Sequence, residues 1–366
     1  MAIDFSPERW KQIKETYSRW WTGKLERPLI PVRAGGRDPG RAKPAIPFLS
    51  QANCHDFSIT PEQIIDRIDY DLSTIHYLAD AYPICGMHCF GPGIAAVFMG
   101  AILDNSTGRV WFHPPARKLP IGEIHFRFDP DNVWFRRVCD IYRAGMQRWQ
   151  GQVLMSMTDL GNPMDLLATF RPGEELLMDL YDEPEEVKRL VWEAHEAWHQ
   201  FFNALNDVLR PVNPGYSDWA GIYSEKSACI IQCDFCYMIS PDMFEEFVLP
   251  ELSAHCRRLG RSFYHLDGIG QLPHLDSILA IPELGGVQWV PGDGKPDCSH
   301  WPEVYQKIAA AGKNMQVWGG FDVLDAVMGQ IGTGKGIHLA DGPGLLSGEL
   351  RDSPDLRKKL ASYGIA

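Results

Sequence analysis

His265 and Asp267 are the strongest candidates for chemistry in this chain. They stand on either side of Leu266 in the segment 262–268, an apolar strand pattern that ends in polar residues and a glycine. Because side chains alternate along a strand, the imidazole and the carboxylate lie on the same face. Such a pair can move protons or bind a divalent metal ion. We therefore predict that His265 and Asp267 form the centre of an active site.

Further acids stand where neighbouring predicted strands end. Asp159 closes one strand pattern and Asp234 closes another, and we predict that both join His265 and Asp267 as catalytic residues. A cluster of carboxylates around an imidazole can raise the pKa of one group while its neighbour stays ionised, which suits acid–base chemistry. If no metal ion is bound, we expect His265 to hydrogen-bond a carboxylate and to act as a general acid or base.

The predicted strand ends also carry residues that could bind a substrate. Tryptophan side chains there offer flat walls for a ring-shaped ligand, and polar side chains offer hydrogen bonds. The predicted members of this group are Arg33, Asp218, Trp219, Tyr264, Gln288, Trp289 and Trp318. Their convergence at successive strand ends, more than any one of them, indicates a binding site.

Alternating strands and helices are the elements that must position these residues. Strand patterns at 28–33, 82–89, 153–159, 262–268 and 286–292, with others ending at Asp218, Asp234 and Trp318, alternate with helical patterns. About eight strands with no serine- or glycine-rich linker predict a single (β/α)8 TIM barrel domain over residues 1–366, with an N-terminal helical extension over 1–25. Loops at the strand ends of such barrels vary without disturbing the core, so chemistry is expected there.

The composition is that of a chain with a large core and no nucleic-acid surface. Of the 366 residues, 45% are hydrophobic and 11% aromatic, and the formal net charge is −12. The charged amino terminus predicts no secretory signal, and no apolar run reaches the ~18 residues of a membrane span. The nine cysteines are scattered and odd in number. We therefore predict a cytoplasmic protein with buried, reduced thiols.

Two short motifs resemble known sites without the expected context. His195 and His199 fit the H-E-x-x-H pattern of zinc proteases. Their helix, however, is predicted to pack outside the barrel, so we interpret them as two histidines at the helix surface, with Glu225 a third ligand only if the chain is not a barrel. Gly329–Gly336 nearly fits a phosphate-binding loop, but it lacks the hydroxyl residue and follows a helix. We interpret it as an ordinary loop.

Several segments resemble the uroporphyrinogen decarboxylases and their corrinoid-linked methyltransferase relatives. They are Gly161–Leu167, Gly173–Val187, Ile239–Pro250, Tyr264–Gly268 and Trp318–Asp322. The resemblance runs as a diffuse pattern over residues 25–365 and implies the barrel fold of that superfamily. It leaves the reaction open, because the superfamily contains more than one chemistry.

The methyltransferases of this superfamily imply a metal site at the strand ends. They hold zinc with a His-x-Cys pair and a distant cysteine, and the zinc converts a thiol into a bound thiolate. In this chain His265 matches the histidine, Asp267 stands at the cysteine position, and the loop 342–350 contains no cysteine. The resemblance therefore implies either zinc or a harder divalent ion on His265 and Asp267, or a hydrogen-bonded pair beside an organic substrate. A partner protein would carry the corrinoid.

The decarboxylases imply a different use of the same fold. Arg33 and Arg37 resemble the two arginines that clamp substrate carboxylates, which adds Arg37 to the predicted substrate-binding residues. The aspartate at the end of the second strand has no counterpart in 85–93, and Asp341 replaces a C-terminal histidine. Uroporphyrinogen is therefore not the expected substrate.

The favoured function is a methyltransferase of the corrinoid-linked type that acts on a small organic substrate. The alternatives are a decarboxylase of another carboxylated substrate, acid–base cleavage of a glycoside or ether, and a non-enzymatic protein that binds a small molecule. Turnover distinguishes the first three from the last.

Overall fold

The structure is a computed structural model that describes residues 3–340, 342 and 344–365. Its helices are α1 (Pro7–Trp21), α2 (Pro61–Ser73), α3 (Ala95–Phe98), α4 (Val133–Trp149), α5 (Pro163–Phe170), α6 (Glu174–Asp182), α7 (Pro184–Leu209), α8 (Pro241–Phe247), α9 (Leu249–Arg258), α10 (Leu275–Leu279), α11 (Pro302–Ala310), α12 (Phe321–Ile331) and α13 (Pro354–Ser362). Many begin with a proline in the first turn, where the missing amide proton is not needed. Thr60 and Gln63 add a complete capping box to α2.

The strands form four sheets within the described residues. They are β1 (Pro31–Ala34), β2 (His76–Ala79), β3 (Ile84–Cys85), β4 (Ile102–Asp104), β5 (Trp111–His113), β6 (Leu154–Met155), β7 (Ala228–Gln232), β8 (Arg261–Asp267), β9 (Gly286–Val290), β10 (Asn314–Trp318), β11 (Ile337–Ala340) and β12 (Leu345–Leu346). Strands β7 to β11 make a five-stranded parallel sheet in chain order. Strand β3 pairs in parallel with β6, and β1 lies between β2 and β12. Strands β4 and β5 form an antiparallel pair.

The parallel sheet with helical crossovers confirms the predicted α/β class. Backbone hydrogen bonds outside the named strands extend two of the sheets. Leu29 exchanges bonds of 2.9 Å with Ile337 and Leu339 beside β11, and the amide of Met157, which follows β6, donates to the carbonyl of Ser217 over 2.8 Å. The strands of the described residues do not form a complete ring of eight hydrogen-bonded strands. The eight-stranded barrel and its extent as one domain remain predictions.

The predicted strand ending at Asp218 and Trp219 is wrong. These residues lie in a turn flanked by an isolated antiparallel bridge between Tyr216 and Ser224. The Asp218 carboxylate accepts a hydrogen bond from the Ala220 amide, 2.9 Å away. A short acidic side chain that bonds the backbone two residues on stabilises a turn in place of a ladder.

The predicted N-terminal extension is a helix that packs against the amino-terminal ends of the sheet strands. Ser6 caps α1, and the Trp20 indole donates to the carbonyl of Ile337 over 3.1 Å. The Trp10 indole donates to the carbonyl of Gln152, which precedes β6. Buried aromatic rings of α1 therefore close the end of the sheet opposite to the predicted chemistry.

The cysteines lie in the interior of the protein. All nine are buried and free of disulfide bonds, as the sequence predicts. Among the described residues, no helix is both long and apolar enough to cross a membrane.

The predicted surface position of His195 and His199 is wrong. Helix α7 packs against α9, and both imidazoles are buried in that contact. The apolar stripe of α7 is wide enough to include them, so the helix buries more of its circumference than a simple outer helix. The motif-like segment 329–336 ends α12 and forms the turn before β11, as predicted, with Gly332 in a left-handed conformation (φ +75°).

Candidate functional site

A row of polar side chains crosses the five-stranded sheet in register. Gln232 on β7 pairs with His265 on β8, His265 with Gln288 on β9, Gln288 with Gln316 on β10, and Gln316 with His338 on β11. All but His265 are buried. A polar residue in a buried strand needs a partner, and side-chain hydrogen bonds between neighbouring strands join His265, Gln288, Gln316 and His338. The parallel register therefore builds a polar layer inside an apolar sheet.

Hydrogen bonds along this row fix which ring nitrogen of His265 carries a proton. The Gln316 amide nitrogen Nε2 donates to the carbonyl of Ala220 over 2.7 Å, and a carbonyl can only accept. Gln316 Oε1 is therefore the atom that accepts from Gln288 Nε2. This leaves Gln288 Oε1 facing His265 Nδ1, which must donate. In the neutral form of the ring, His265 Nε2 therefore carries the lone pair.

Two carboxylates stand beside that free nitrogen. One ligand atom each from Asp234, His265 and Asp267 lies within 4.8 Å of the other two. His265 Nε2 is 3.8 Å from Asp267 Oδ2, and Gln232 Nε2 donates to Asp234 Oδ2 over 3.2 Å. The side chains of His265 and Asp267 are 14% and 44% exposed, and those of Tyr264 and Leu266, on either side of His265, are buried. The predicted alternation is thus observed, and the group opens to solvent.

Asp165, in the first turn of α5, holds Asp234 in place and was missed by the sequence prediction. Its carboxylate oxygens accept hydrogen bonds from the amides of Asp234 and Phe235, at 3.0 and 2.9 Å. Asn162, just before α5, accepts from the amide of Gln232 at 2.8 Å. The start of α5 therefore anchors the end of β7. An acid two residues after the helix-starting Pro163 was the available signal.

The local charges push the pKa values of these groups apart. Burial alone would lower the pKa of His265, but the hydrogen bond to Asp267 and the charge of Asp234 raise it overall. Burial raises the pKa of Asp159 to about 6, against opposing hydrogen bonds from backbone amides. The site thus combines an imidazole that favours its proton with a carboxyl group that titrates near neutrality, a combination suited to proton transfer.

Asp159 and Asp218 contribute through the backbone. The Asp159 carboxylate accepts from the Gly161 amide at 2.9 Å, and its charge acts on His265 and Asp234 although it lies outside their 4.8 Å group. Asp218 is buried, with its two carboxylate oxygens accepting from the amides of Ala220 and Ile230. Asp218 therefore holds a turn, which corrects its predicted place among the substrate-binding residues.

The predicted aromatic walls divide between the two faces of the sheet. The Trp219 ring meets the His265 ring edge to face at 4.9 Å between centroids, and Trp318 is 39% exposed. Tyr264 and Trp289 are fully buried on the opposite face, where Tyr264 donates to Gln271 over 3.1 Å and Trp289 packs on Trp301. Alternation along β8 and β9 turns them away from His265. This corrects their predicted contact with a substrate.

Arg33 and Arg37, which were predicted to clamp substrate carboxylates, have different surroundings in the structure. The Arg37 guanidinium donates to the carbonyl of Ser73 over 2.7 Å and lies 3.7 Å from the Asp4 carboxylate, so it holds the amino-terminal segment against the end of α2. Arg33 lies half-buried on β1, opposite Tyr77 on β2. The role of Arg37 in binding substrate carboxylates stays a prediction. Asp341 lies outside the described residues.

Exposed side chains at the rim were not predicted. Tyr237 and Met238 follow Asp234 in the turn after β7 and are half exposed. Gly268 closes β8 with φ +81°, and a Cβ atom there would lie 3.1 Å from Tyr237 Cε2. Only glycine adopts this backbone while leaving room for the tyrosine. Tyr237 therefore covers the turn beside His265 and Asp267.

A wide groove lies elsewhere on the molecule. It has a volume of about 1060 Å³ and runs between α1 and the loops at 150–152 and 211–214, at the amino-terminal side of β6. None of the residues that line it belongs to the polar row. The cluster of titratable groups at the strand ends, and not the volume of this groove, locates the candidate site.

Comparison with known proteins gives the architecture. No family model and no curated protein matches the chain. A solved structure described as a methyltransferase from Methanosarcina mazei matches with a TM-score of 0.60 and 11% sequence identity, over 96% of this chain and 97% of that one. The chain has the fold of this methyltransferase. At so low an identity, the likeness shows the architecture and leaves the reaction open.

Proposed function

We propose that this protein is a methyltransferase of the corrinoid-linked type, acting on a small organic substrate at the group formed by Asp234, His265 and Asp267. The observation that carries the proposal is the meeting of these three side chains at an open strand end, in a fold shared with a methyltransferase over nearly the whole chain. The corrinoid would be carried by a partner protein, as the sequence resemblance implies, and the eight-stranded barrel of that superfamily belongs to the same proposal.

The side chains of this group fit a divalent metal ion. When His265 is neutral, the relay through Gln288 places the lone pair on Nε2, beside the carboxylates of Asp234 and Asp267. One nitrogen and carboxylate oxygens suit zinc or a harder divalent ion, in contrast to the thiolates of the related methyltransferases. An ion held there would lower the pKa of a thiol or hydroxyl group of the substrate.

The remaining residues would bind and orient the substrate. The Trp219 ring is fixed against His265 and offers a flat edge to the open side of the site. Gln288 holds the His265 ring in one orientation, because both of its amide atoms are bonded. Asp159, with its pKa of about 6, can accept or return a proton near neutral pH. In this proposal Trp219 binds the substrate, Gln288 orients His265, and Asp159 holds a proton.

The direct test is a methyl-transfer assay with methylcobalamin as the methyl donor and small thiols as acceptors, in which the sulfur takes the methyl group and cob(I)alamin is released. Methoxylated aromatics are tested in the opposite direction, as methyl donors to cob(I)alamin that release a phenol. We expect loss of the methylcobalamin absorbance with the parent chain, and at least a 100-fold slower reaction with His265→Ala or Asp234→Asn. The matched control is His125→Ala, since this histidine is exposed beside Glu193 on the outer helical layer. Parental rates in both site variants would exclude the proposed site.

Acid–base cleavage of a glycoside or ether is the second candidate. It is favoured by one observation: Asp159 titrates at about 6 while its charge acts on Asp234 and His265, which resembles the division of roles between two carboxyl groups. Chromogenic aryl ethers and glycosides test it. Turnover without methylcobalamin that is abolished by Asp159→Asn would support cleavage over methyl transfer.

A further inference from the structure

A buried cluster of three histidines joins two helices of the outer layer. His195 and His199 are four residues apart on α7 and share a face, and His255 meets them from α9. One ring nitrogen of each lies within 4.8 Å of the other two. The three residues are 1%, 3% and 0% exposed. The helix pair therefore arranges three side chains of a metal-binding type around one buried point.

The hydrogen bonds of the cluster leave ring nitrogens free. Glu251 Oε1 lies 2.6 Å from His195 Nδ1 and 3.3 Å from His255 Nδ1. A carboxylate oxygen accepts, so both Nδ1 atoms donate to it. The Nε2 atoms of His199 and His255 are buried and have no hydrogen-bond partner. A carboxylate that orients imidazoles from behind, while their other nitrogens stay unpaired, is the arrangement found around metal-binding histidines.

The charges of the cluster also call for a cation. Glu251 is 5% exposed and lies within hydrogen-bond distance of His195 and His255. A carboxylate buried in this way needs a compensating positive charge. Either a metal ion or a proton held within the cluster can supply it.

We propose that His195, His199 and His255 bind a zinc ion that joins α7 to α9, with Glu251 orienting two of the rings. Imidazole nitrogens suit zinc and its neighbours in the first transition row. A triangle with sides of 4.8 Å has its centre about 2.8 Å from each corner, so zinc–nitrogen distances of about 2.0–2.1 Å require each ring to move by less than ~1 Å. The ion stabilises the helix pair and takes no part in the proposed methyl transfer.

The decisive experiment leaves the three histidines intact. Zinc is measured by elemental analysis in the purified full chain and in the double variant D234N/H265A, which removes ligands from the polar row only. We expect the double variant to retain one zinc ion per chain, bound to nitrogen from imidazoles by X-ray absorption. Absence of bound zinc in this variant, after supply of zinc and dialysis, overturns the proposal. Failure of methyl transfer has no bearing on this measurement.

A second experiment alters the cluster itself. H199A should lose one zinc ion per chain, whereas H125A, which changes an exposed histidine, should lose none. Chelation should lower the melting temperature of D234N/H265A, and leave that of the folded triple variant H199A/D234N/H265A unchanged. A folded H199A with the parental zinc content overturns the proposal and leaves a proton shared between His195 and Glu251 as the compensating charge. If H199A does not fold, the zinc content of D234N/H265A decides.

Discussion

Replacing Gln288 by methionine should break the relay that orients His265. Methionine keeps the length and approximate volume of glutamine but neither donates nor accepts a comparable hydrogen bond. The change removes the acceptor of His265 Nδ1 and the donor to Gln316 Oε1. Gln288 and Gln316 are fully buried, so no water can replace the lost bond at Gln316. The substitution therefore removes hydrogen bonds with little change in packing.

The magnitude follows from the two groups left without partners. A buried acceptor that loses its donor costs about 1–3 kcal/mol, which applies in full to Gln316. His265 has a 14% exposed side chain, so water can partly hydrate its ring and the cost there is at the lower end. We expect the free energy of unfolding to fall by about 2–4 kcal/mol. Loss of the fixed ring orientation should also lower metal affinity or activity by about 10–100-fold.

Urea denaturation followed by tryptophan fluorescence measures the stability change, with Gln306→Met as the matched control. Gln306 is exposed on α11 and makes one side-chain bond, to the carbonyl of Gln330, so the control should change stability by less than about 0.5 kcal/mol. Nitrogen-15 NMR of the parent should show His265 protonated at Nδ1. Equal stability of the two variants, or a parent protonated only at Nε2, would refute the relay.

Four further substitutions test other parts of the structure. Asp165→Ala should lower the free energy of unfolding by about 1–2 kcal/mol, because the carboxylate caps two amides at the end of β7; urea denaturation measures this. Asp218→Asn should flatten the dependence of stability on pH. The pKa of Asp218 is raised by burial to about 6, so its carboxyl group favours folding below pH ~4, and a contribution of about 3 kcal/mol is lost as the pH rises through about 6. Gly286→Ala should destabilise the fold by about 1–3 kcal/mol, because the added carbon would collide with the Phe263 ring. Gly329→Ala, with open space in α12, should stabilise it by about 0.5–1 kcal/mol.

Each of these has an outcome that would contradict it. Parental stability of Asp165→Ala would show that the amides at the end of β7 are satisfied without the carboxylate. An unchanged slope of stability against pH between about 4 and 6 in Asp218→Asn would assign that slope to other acids. Equal melting temperatures of the two glycine variants would show that the space around Gly286 relaxes freely.

Local sequence determined much of the secondary structure and one face of the site. The helical extension predicted within residues 1–25 is present as α1 (Pro7–Trp21), and the capping box that begins α2 is formed by Thr60 and Gln63, three residues apart. The shared face of His265 and Asp267 follows from alternation alone, which requires no knowledge of the neighbouring strands. These features depend on residues within a few positions of one another, so they can be predicted from the sequence alone.

Tertiary structure decided which distant residues meet. Asp165 of α5 bonds the backbone at the end of β7. Gln316 on β10 completes the relay that orients His265 on β8, two strands away. His195 is buried because α9 covers its side of α7. Tyr264 and Trp289 were predicted from their residue type to line a ligand, but the packing of the sheet buries them in the core. Register between strands and the choice of packed faces are set by burial summed over the whole molecule, so no local pattern specifies them.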